Sequence, residues 1–332
     1  MLAQLRALFA AQAVANHLAA LPPVHSTIMD DMFPNRPTHP FALLGLEELV
    51  EVLKEIPVIT RGGRSIPIGG EGVGVSFIEP LPVKPSRDIT GQDLNNLKMI
   101  LGNRASLEVW VRGRIDSLRR ACRATTEAIA ATAITGKISW PVKLDGGGWD
   151  VYEVDFGAPL TFVAPKKLDV EGVTLADAYK ILSGMRTSIQ NAGMGGGDIG
   201  FLAGQNAFAA ILTVAENIKT TAKHNIRIEI KNGTVDVGGF VVKECAETYR
   251  DPKEGTFVKK VPDHKIVAYA KDTPGSVFYC ALDDIDNNLR AMPFLSRVDK
   301  LPEGTGVKVI GHSKPMPARS PKTICWCEVV AA

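Results

Sequence analysis

The chain has 332 residues, 45% apolar and 22% charged, with a formal net charge of +2. This composition excludes disordered and collagen-like classes and suffices for two or three core-bearing units or one elaborate domain. The near-neutral balance leaves no strong bulk field for nucleic acid or an anionic membrane, and no window reaches a transmembrane span.

The first stretch, MLAQLRALFAAQAVANHLAALPP, places Leu2, Leu5, Phe9 and Ala13 at helical spacing. An amphipathic helix is a better reading than a signal peptide, because Gln12, Asn16 and His17 interrupt the apolar run. From Leu21 to Phe41 the sequence is rich in Pro, Met, His and Asn with little periodicity. It reads as an extended arm pinned by prolines, and residues from about Met1 to Pro40 have too few periodic apolar positions for a core, so their order is expected from neighbouring subunits. A short helix, LLGLEELVEVLKE, follows. Two alternating runs joined by a glycine-rich middle, VITRGGRSIPIGGEGVGVSFIEPLPV, then predict a long hairpin that would be marginal alone. PLPVKPSRDITGQDL, from Pro80 to Leu94, is neither a convincing strand nor a helix. Its prolines suggest a stiff ribbon laid on another copy of the same chain.

The clearest helix carries Leu107, Val111, Ile115, Leu118, Cys122, Ile129 and Ala133 at spacings of three, four or seven, and Gly136 is its natural stop. About 29 residues give it a length of roughly 43 Å. Arg112, Arg114, Arg119, Arg120 and Arg123 decorate its other faces, which favours a solvated face with ion pairs over an anion-binding stripe. GKISWPVKLDGGGWDVYEVDFG reads as strand, glycine turn and strand, ending at Gly157. Thr174 with Asp177 resembles a capping box at the head of a helix whose stripe is Leu175, Tyr179, Leu182 and Ile189. DIGFLAG predicts a strand, QNAFAAILTVAENIKTT a helix, and the remainder alternates short strands and turns up to VKVIGH and KTICWCEVV. The fold class is α+β, two helices against an antiparallel meander.

No catalytic constellation emerges, so neither enzyme activity nor a cofactor is expected. GMGGGDIG follows a helix and precedes a strand, the reverse of a dinucleotide fingerprint, and TGKIS ends a helix without the phosphate-loop pattern. The six histidines, His17, His25, His39, His224, His264 and His312, lack paired ligand spacing. Asp283, Asp284 and Asp286 read as a solvated turn, not a calcium loop. Cys122, Cys245, Cys280, Cys325 and Cys327 lack C-x-x-C spacing and read as small buried hydrophobes in reduced form, not a metal site.

The order of parts carries more than any motif. Arg61-Gly62-Gly63 in the hairpin, Val83-Lys84-Pro85 on its return, Gly136-Lys137 closing the long helix, and YEVDFG from Tyr152 to Gly157 together resemble the lambda-type major capsid protein (capsid protein E) family of tailed phages. The resemblance runs along nearly the whole chain, apart from the N-terminal segment and the glycine run GGEGVG. It implies a Hong Kong 97-type fold. Residues 1–46 would form an N-terminal arm, 47–92 an extended hairpin (E-loop), and 93–158 a peripheral domain with the long helix as spine. Residues 159–300 would form an axial domain, and 301–332 strands returning to the peripheral domain.

The same resemblance implies self-assembly into hexamers and pentamers of an icosahedral shell around double-stranded DNA, held without sequence specificity. It also implies a separate scaffolding protein, a portal and a decoration protein as partners, no membrane, and assembly in the host bacterial cytoplasm. Autocatalytic cross-linking through Lys84 and Glu71 is not expected, since nothing marks them as a reactive set. Intersubunit contact is expected at Arg61, Gly62, Gly63, Arg64, Ile66, Ile68, Phe77, Ile78, Lys84 and Arg87. The alternatives are an encapsulin-type compartment of the same fold, an enzyme with an unrecognised site, and a monomeric binding module.

Overall fold

The long helix spans Arg104–Ala133, and its apolar stripe sorts it into two halves. Val111, Ile115, Leu118 and Cys122 pack with Ile89, Phe294, Val307 and Val309, which places the first half against a small sheet. That sheet is antiparallel, in the order Leu295–Lys300, Gly306–His312, Ser86–Thr90. The second half, from Ala128 to Ala133, is buried nearly all round in the main core. Gly136 ends it at φ +91°, where an added Cβ would lie 2.1 Å from the Gly157 carbonyl oxygen, so only glycine fits. Phe156 N–H donates to the Gly136 carbonyl, and the chain runs straight into the hairpin Lys137–Lys143/Trp149–Asp155. The helix, its stop and this hairpin match the sequence expectation.

This computed structural model describes residues 21, 25–45, 77–100, 104–193, 195–218, 228–231, 233–301 and 305–331. The expected helix at Leu2–Ala13 and the body of the long hairpin lie outside them, as do His17 and His224.

The largest sheet has seven strands, in the order Leu160–Val163, Ile324–Glu328, Lys265–Ala270, Ile199–Ala203, Phe240–Glu244, Thr234–Val237, Ile228–Lys231. Two of its pairings are parallel, 160–163 with 324–328 and 199–203 with 240–244, so the sheet is mixed and not the antiparallel meander expected. Strand alternation gives it two apolar faces. Phe201, Ile266, Ala268, Cys325 and Cys327 face the helices Leu175–Asn191 and Gln205–Ile218. Leu202, Val267, Tyr269 and Ile324 face the main core. Thr174 N–H and hydroxyl donate to Asp177 Oδ2 (3.0 and 2.8 Å), so the capping box is formed. The buried stripe of that helix is Leu175, Ala178, Ile181, Leu182, Met185 and Ile189. Tyr179 lies outside it, exposed beside Phe240.

Two expectations about the N-terminal third are corrected. Residues 27–32 form a short helix, and Ile28, Met29, Met32 and Phe33 have no exposed surface at all. This stretch belongs to the subunit's own core, not to an arm ordered by neighbours. It continues through Thr38–His39, which pairs in parallel with Ser276–Cys280. The proline-rich ribbon likewise lies on its own chain. Val83 and Ser313 exchange backbone hydrogen bonds (2.8 and 3.1 Å), and Ser86–Thr90 pairs with Gly306–His312. The helix Gly91–Ile100 follows, with Thr90 and Asp93 exchanging hydrogen bonds at its start. Prolines at 80, 82 and 85 precede the strand, where no ladder donor is needed.

Candidate assembly surfaces

Residues 44–45 and 77–78, on either side of the expected hairpin, form a two-stranded ladder that pairs Leu44 with Ile78 and Gly45 with Phe77. Alternation sends one member of each strand inward. Leu44 is fully buried and Ile78 packs half-buried on the main core. The other members face out: Phe77 is 63% exposed, and Phe41 and Leu43 just before it are 68% and 46% exposed. Tyr152 Oη donates to the Glu79 carbonyl (3.0 Å) and Lys314 Nζ to its carboxylate (3.3 Å), which fixes the returning strand. Lys84 and Arg87 are exposed on the ribbon beyond. Arg61, Gly62, Gly63, Arg64, Ile66 and Ile68 lie outside the described residues.

Beside the long helix the N-terminal segment is held by charge. Glu127, only 4% exposed, accepts from the backbone N–H groups of Ile28 and Met29 (2.8 and 2.9 Å) and from Lys260 Nζ (2.8 Å). Lys260 also donates to Glu247, which accepts from the Thr27 hydroxyl. Burial alone would lower the Lys260 ammonium, but hydrogen bonds to the two glutamates hold it above its ordinary value. Arg123 donates to Ser26 Oγ (2.7 Å) and to Asp30 (2.6 Å), and Arg36 reaches the same Asp30. Arg319, 4% exposed, donates to the carbonyls of Met32 and Ala270 and to Thr323. Sequence reasoning missed this clamp, because a carboxylate in mid-helix carries no signal of what it will face.

Two hollows open on either side of Arg123 and share it and His25. The larger, about 620 Å³, is lined by Arg36, Arg119, Cys122 and Phe294 among others. The smaller, about 510 Å³, is lined by Arg120, Arg250, Trp140 and Tyr249 among others. The expectation of ion pairs along this helix holds at Asp116, which pairs with Arg119 and Arg120 (2.8 and 2.7 Å).

The remaining motifs have structural roles. The N–H groups of Gly196 and Gly197 donate to the Asp272 carboxylate (3.0 Å each), so the glycine loop's donors are taken by the chain itself. Asp284 is not part of a solvated turn: it is 3% exposed, caps Asn287 and pairs with Arg297 (2.8 Å). All five cysteines are free and buried. Burial pushes the Cys122 and Cys327 thiols up to about 12, far from the reactive thiolate. His312 is buried and pushed down to about 4 by burial, with the Lys84 charge adding to the effect. Among the described residues no group of three His, Cys, Asp or Glu could hold a metal ion.

This body, with its long helix, its mixed sheet and the two-stranded ladder of 44–45 with 77–78, has the Hong Kong 97-type capsid fold. The chain is similar over its full length to a structure assigned as the capsid protein of an Escherichia coli CFT073 prophage. The TM-score is 0.62 at 16% identity, covering 97% of this chain and 99% of that one. A phage-related protein from Bordetella bronchiseptica RB50 overlays at TM-score 0.49 and 11% identity, covering 96% of each chain. A virus-like particle protein from Pyrococcus furiosus overlays at 0.43 and 12%, covering 96% and 97%. No curated protein matches the sequence. Residues 10–329 match the family profile of phage major capsid protein E, and the chain belongs to that family.

Proposed function

We propose that this major capsid protein forms hexamers and pentamers of an icosahedral tailed-phage head around double-stranded DNA, assembled in the host cytoplasm and without catalysis of its own. The observation that carries the contact between copies is the base of the excursion, where Phe41, Leu43 and Phe77 face outward from a ladder whose other side is core. Covering each yields about 1.5–3 kcal/mol before association costs remove most of it. Repetition around a closed shell makes such weak contacts sufficient. The excursion, including Arg61 to Ile68, serves as the intersubunit arm, and Lys84 and Arg87 lie along its return. Residues 93–158 act as the peripheral unit and 159–300 as the axial unit. The arm assignment for 1–46 is kept only up to residue 25, since Ile28, Met29, Met32, Phe33 and Leu44 are buried in the subunit.

A separate scaffolding protein, a portal and a decoration protein are the partners this role calls for. Membership in a phage capsid family favours the phage head over an encapsulin-type compartment. Purification followed by size-exclusion chromatography and negative-stain microscopy tests the reading. Closed shells that hold DNA in infected cells are expected, while a stable monomer at high concentration, or shells loaded with an enzyme, would overturn it.

A further inference from the structure

The loop of residues 281–291 starts beside the ladder of 44–45 with 77–78. Ala281 N–H donates to the Phe41 carbonyl (3.2 Å), and Ala281 bridges to Ala291 across the neck of the loop. Lys314, whose side chain is wholly buried, reaches Glu79 next to the ladder (3.3 Å) and Asp283 in the loop (3.6 Å). Polar groups within the loop serve its own closure. Asp284 caps Asn287 and pairs with Arg297, and Leu289 N–H donates to the Asp284 carbonyl (3.0 Å). The apolar side chains are left outside: Ile285 is 87% exposed and Leu289 55%.

Leu289 also holds a backbone conformation that leucine resists. Its φ is +53°, in the left-handed region where Cβ crowds the backbone. Every other described position with positive φ is glycine, apart from Asn288, and asparagine tolerates that region. A turn alone gains nothing from leucine there. A strained apolar side chain, held out in water by a closed loop, fits a contact made on assembly. We propose that Ile285 and Leu289 extend the outward patch of Phe41, Leu43 and Phe77, and that a second copy of this chain covers the whole surface. A second copy is the occupant because the loop is pinned to the ladder on which the contact between copies already rests. The proposal depends on the capsid reading and deepens it by adding loop 281–291 to that contact. Asp286 and Arg290, both exposed, give the apolar tip a polar rim.

Ile285→Cys tests this, because the five native cysteines are all buried. The added thiol should react readily with a maleimide dye in the dissociated subunit, and about tenfold or more slowly in shells of the chain alone. Equal rates in subunits and shells would overturn the proposal. Protection in shells from infected cells, but not in shells of the chain alone, would assign the tip to another protein and overturn it as well. Leu289→Gly gives a second readout. Glycine fits φ +53° without strain, so this subunit should melt no lower than the unmodified one, yet shell yield should fall about tenfold. Full shell yield from that variant would make Leu289 a turn residue only. If the unmodified chain forms no shells, the capsid reading falls and the contact with it; if shells form and the thiol stays reactive, only the contact falls.

Discussion

Residues 26–36 and the base of the excursion, residues 41–45 with 77–79, look alike in sequence: short, irregular and flanked by proline. They behave in opposite ways. The first is sealed, with Ile28, Met29, Met32 and Phe33 fully buried and its backbone donors and acceptors matched to Glu127 and Arg319. The second keeps Leu44 inside but turns Phe41, Leu43 and Phe77 out. What separates them is the partner. A buried carboxylate and a buried guanidinium wait for the first segment, whereas on the outer side of the second Phe77 and Phe41 stay largely exposed, Phe41 edge-on to the His39 ring. Irregular, proline-bounded chain is thus neither core nor arm by itself.

Removing the partner should break the contrast most severely. Glu127→Ala leaves two backbone N–H groups without an acceptor and Lys260 facing a half-exposed Glu247, at a cost of about 3–5 kcal/mol in a denaturant melt. Deleting residues 1–33 should unfold the subunit outright, and a trimmed chain with an unchanged melt would return the segment to the status of an arm. At the excursion base the effect should fall on assembly. Phe77→Ser with Phe41→Ser should change subunit stability by no more than about 1 kcal/mol, as for exposed positions, while shells are lost. Equal loss of fold and shells would make both regions core.

His312 sharpens the comparison from a third region, since it lies beside the ribbon strand and near Lys84. Its folded-state pKa of about 4 lies below the ordinary 6.5, so the folded state resists a proton that the unfolded state takes up. Stability from this source is complete above pH 6.5 and lost as pH falls toward 4. His312→Asn should flatten that part of the decline in melting temperature between pH 7 and 4.5. The smallest effect is expected at Cys122, a small buried hydrophobe of the helix stripe. Cys122→Ala should cost about 1 kcal/mol and leave assembly intact.

Much of the scaffold was legible because it is periodic or locally capped. The long helix shows its stripe, Gly136 its stop, Thr174 and Asp177 their box, and the two strands of 137–155 their turn. What stayed hidden depends on distant residues. A six-residue helix shows less than two turns of pattern, and its burial is decided by Glu127 and Arg319, 99 and 287 residues away. The ribbon became a strand because Gly306–His312 supplies its ladder, and the sheet is mixed because 324–328 joins 160–163 in parallel. Asp284 looked solvated until Arg297 was placed against it. Of the expected contact residues, Phe77 and Ile78 were read alike, and only their pairing with Gly45 and Leu44 separates the outward Phe77 from the inward Ile78.

The strand Ile324–Glu328 sits between Leu160–Val163 and Lys265–Ala270, both of which are synthesised before it. Until it arrives, the earlier strands present open edges on either side of a gap, with Leu160–Val163 lacking its ladder partner. Such edges invite pairing with other chains, and closing a loop of this length is slow. Production of the subunit is therefore a race between insertion of this strand and edge-to-edge aggregation. Slower translation through residues 271–323 should lengthen the exposure and lower the yield of soluble subunits, even though every contact of the finished fold is unchanged.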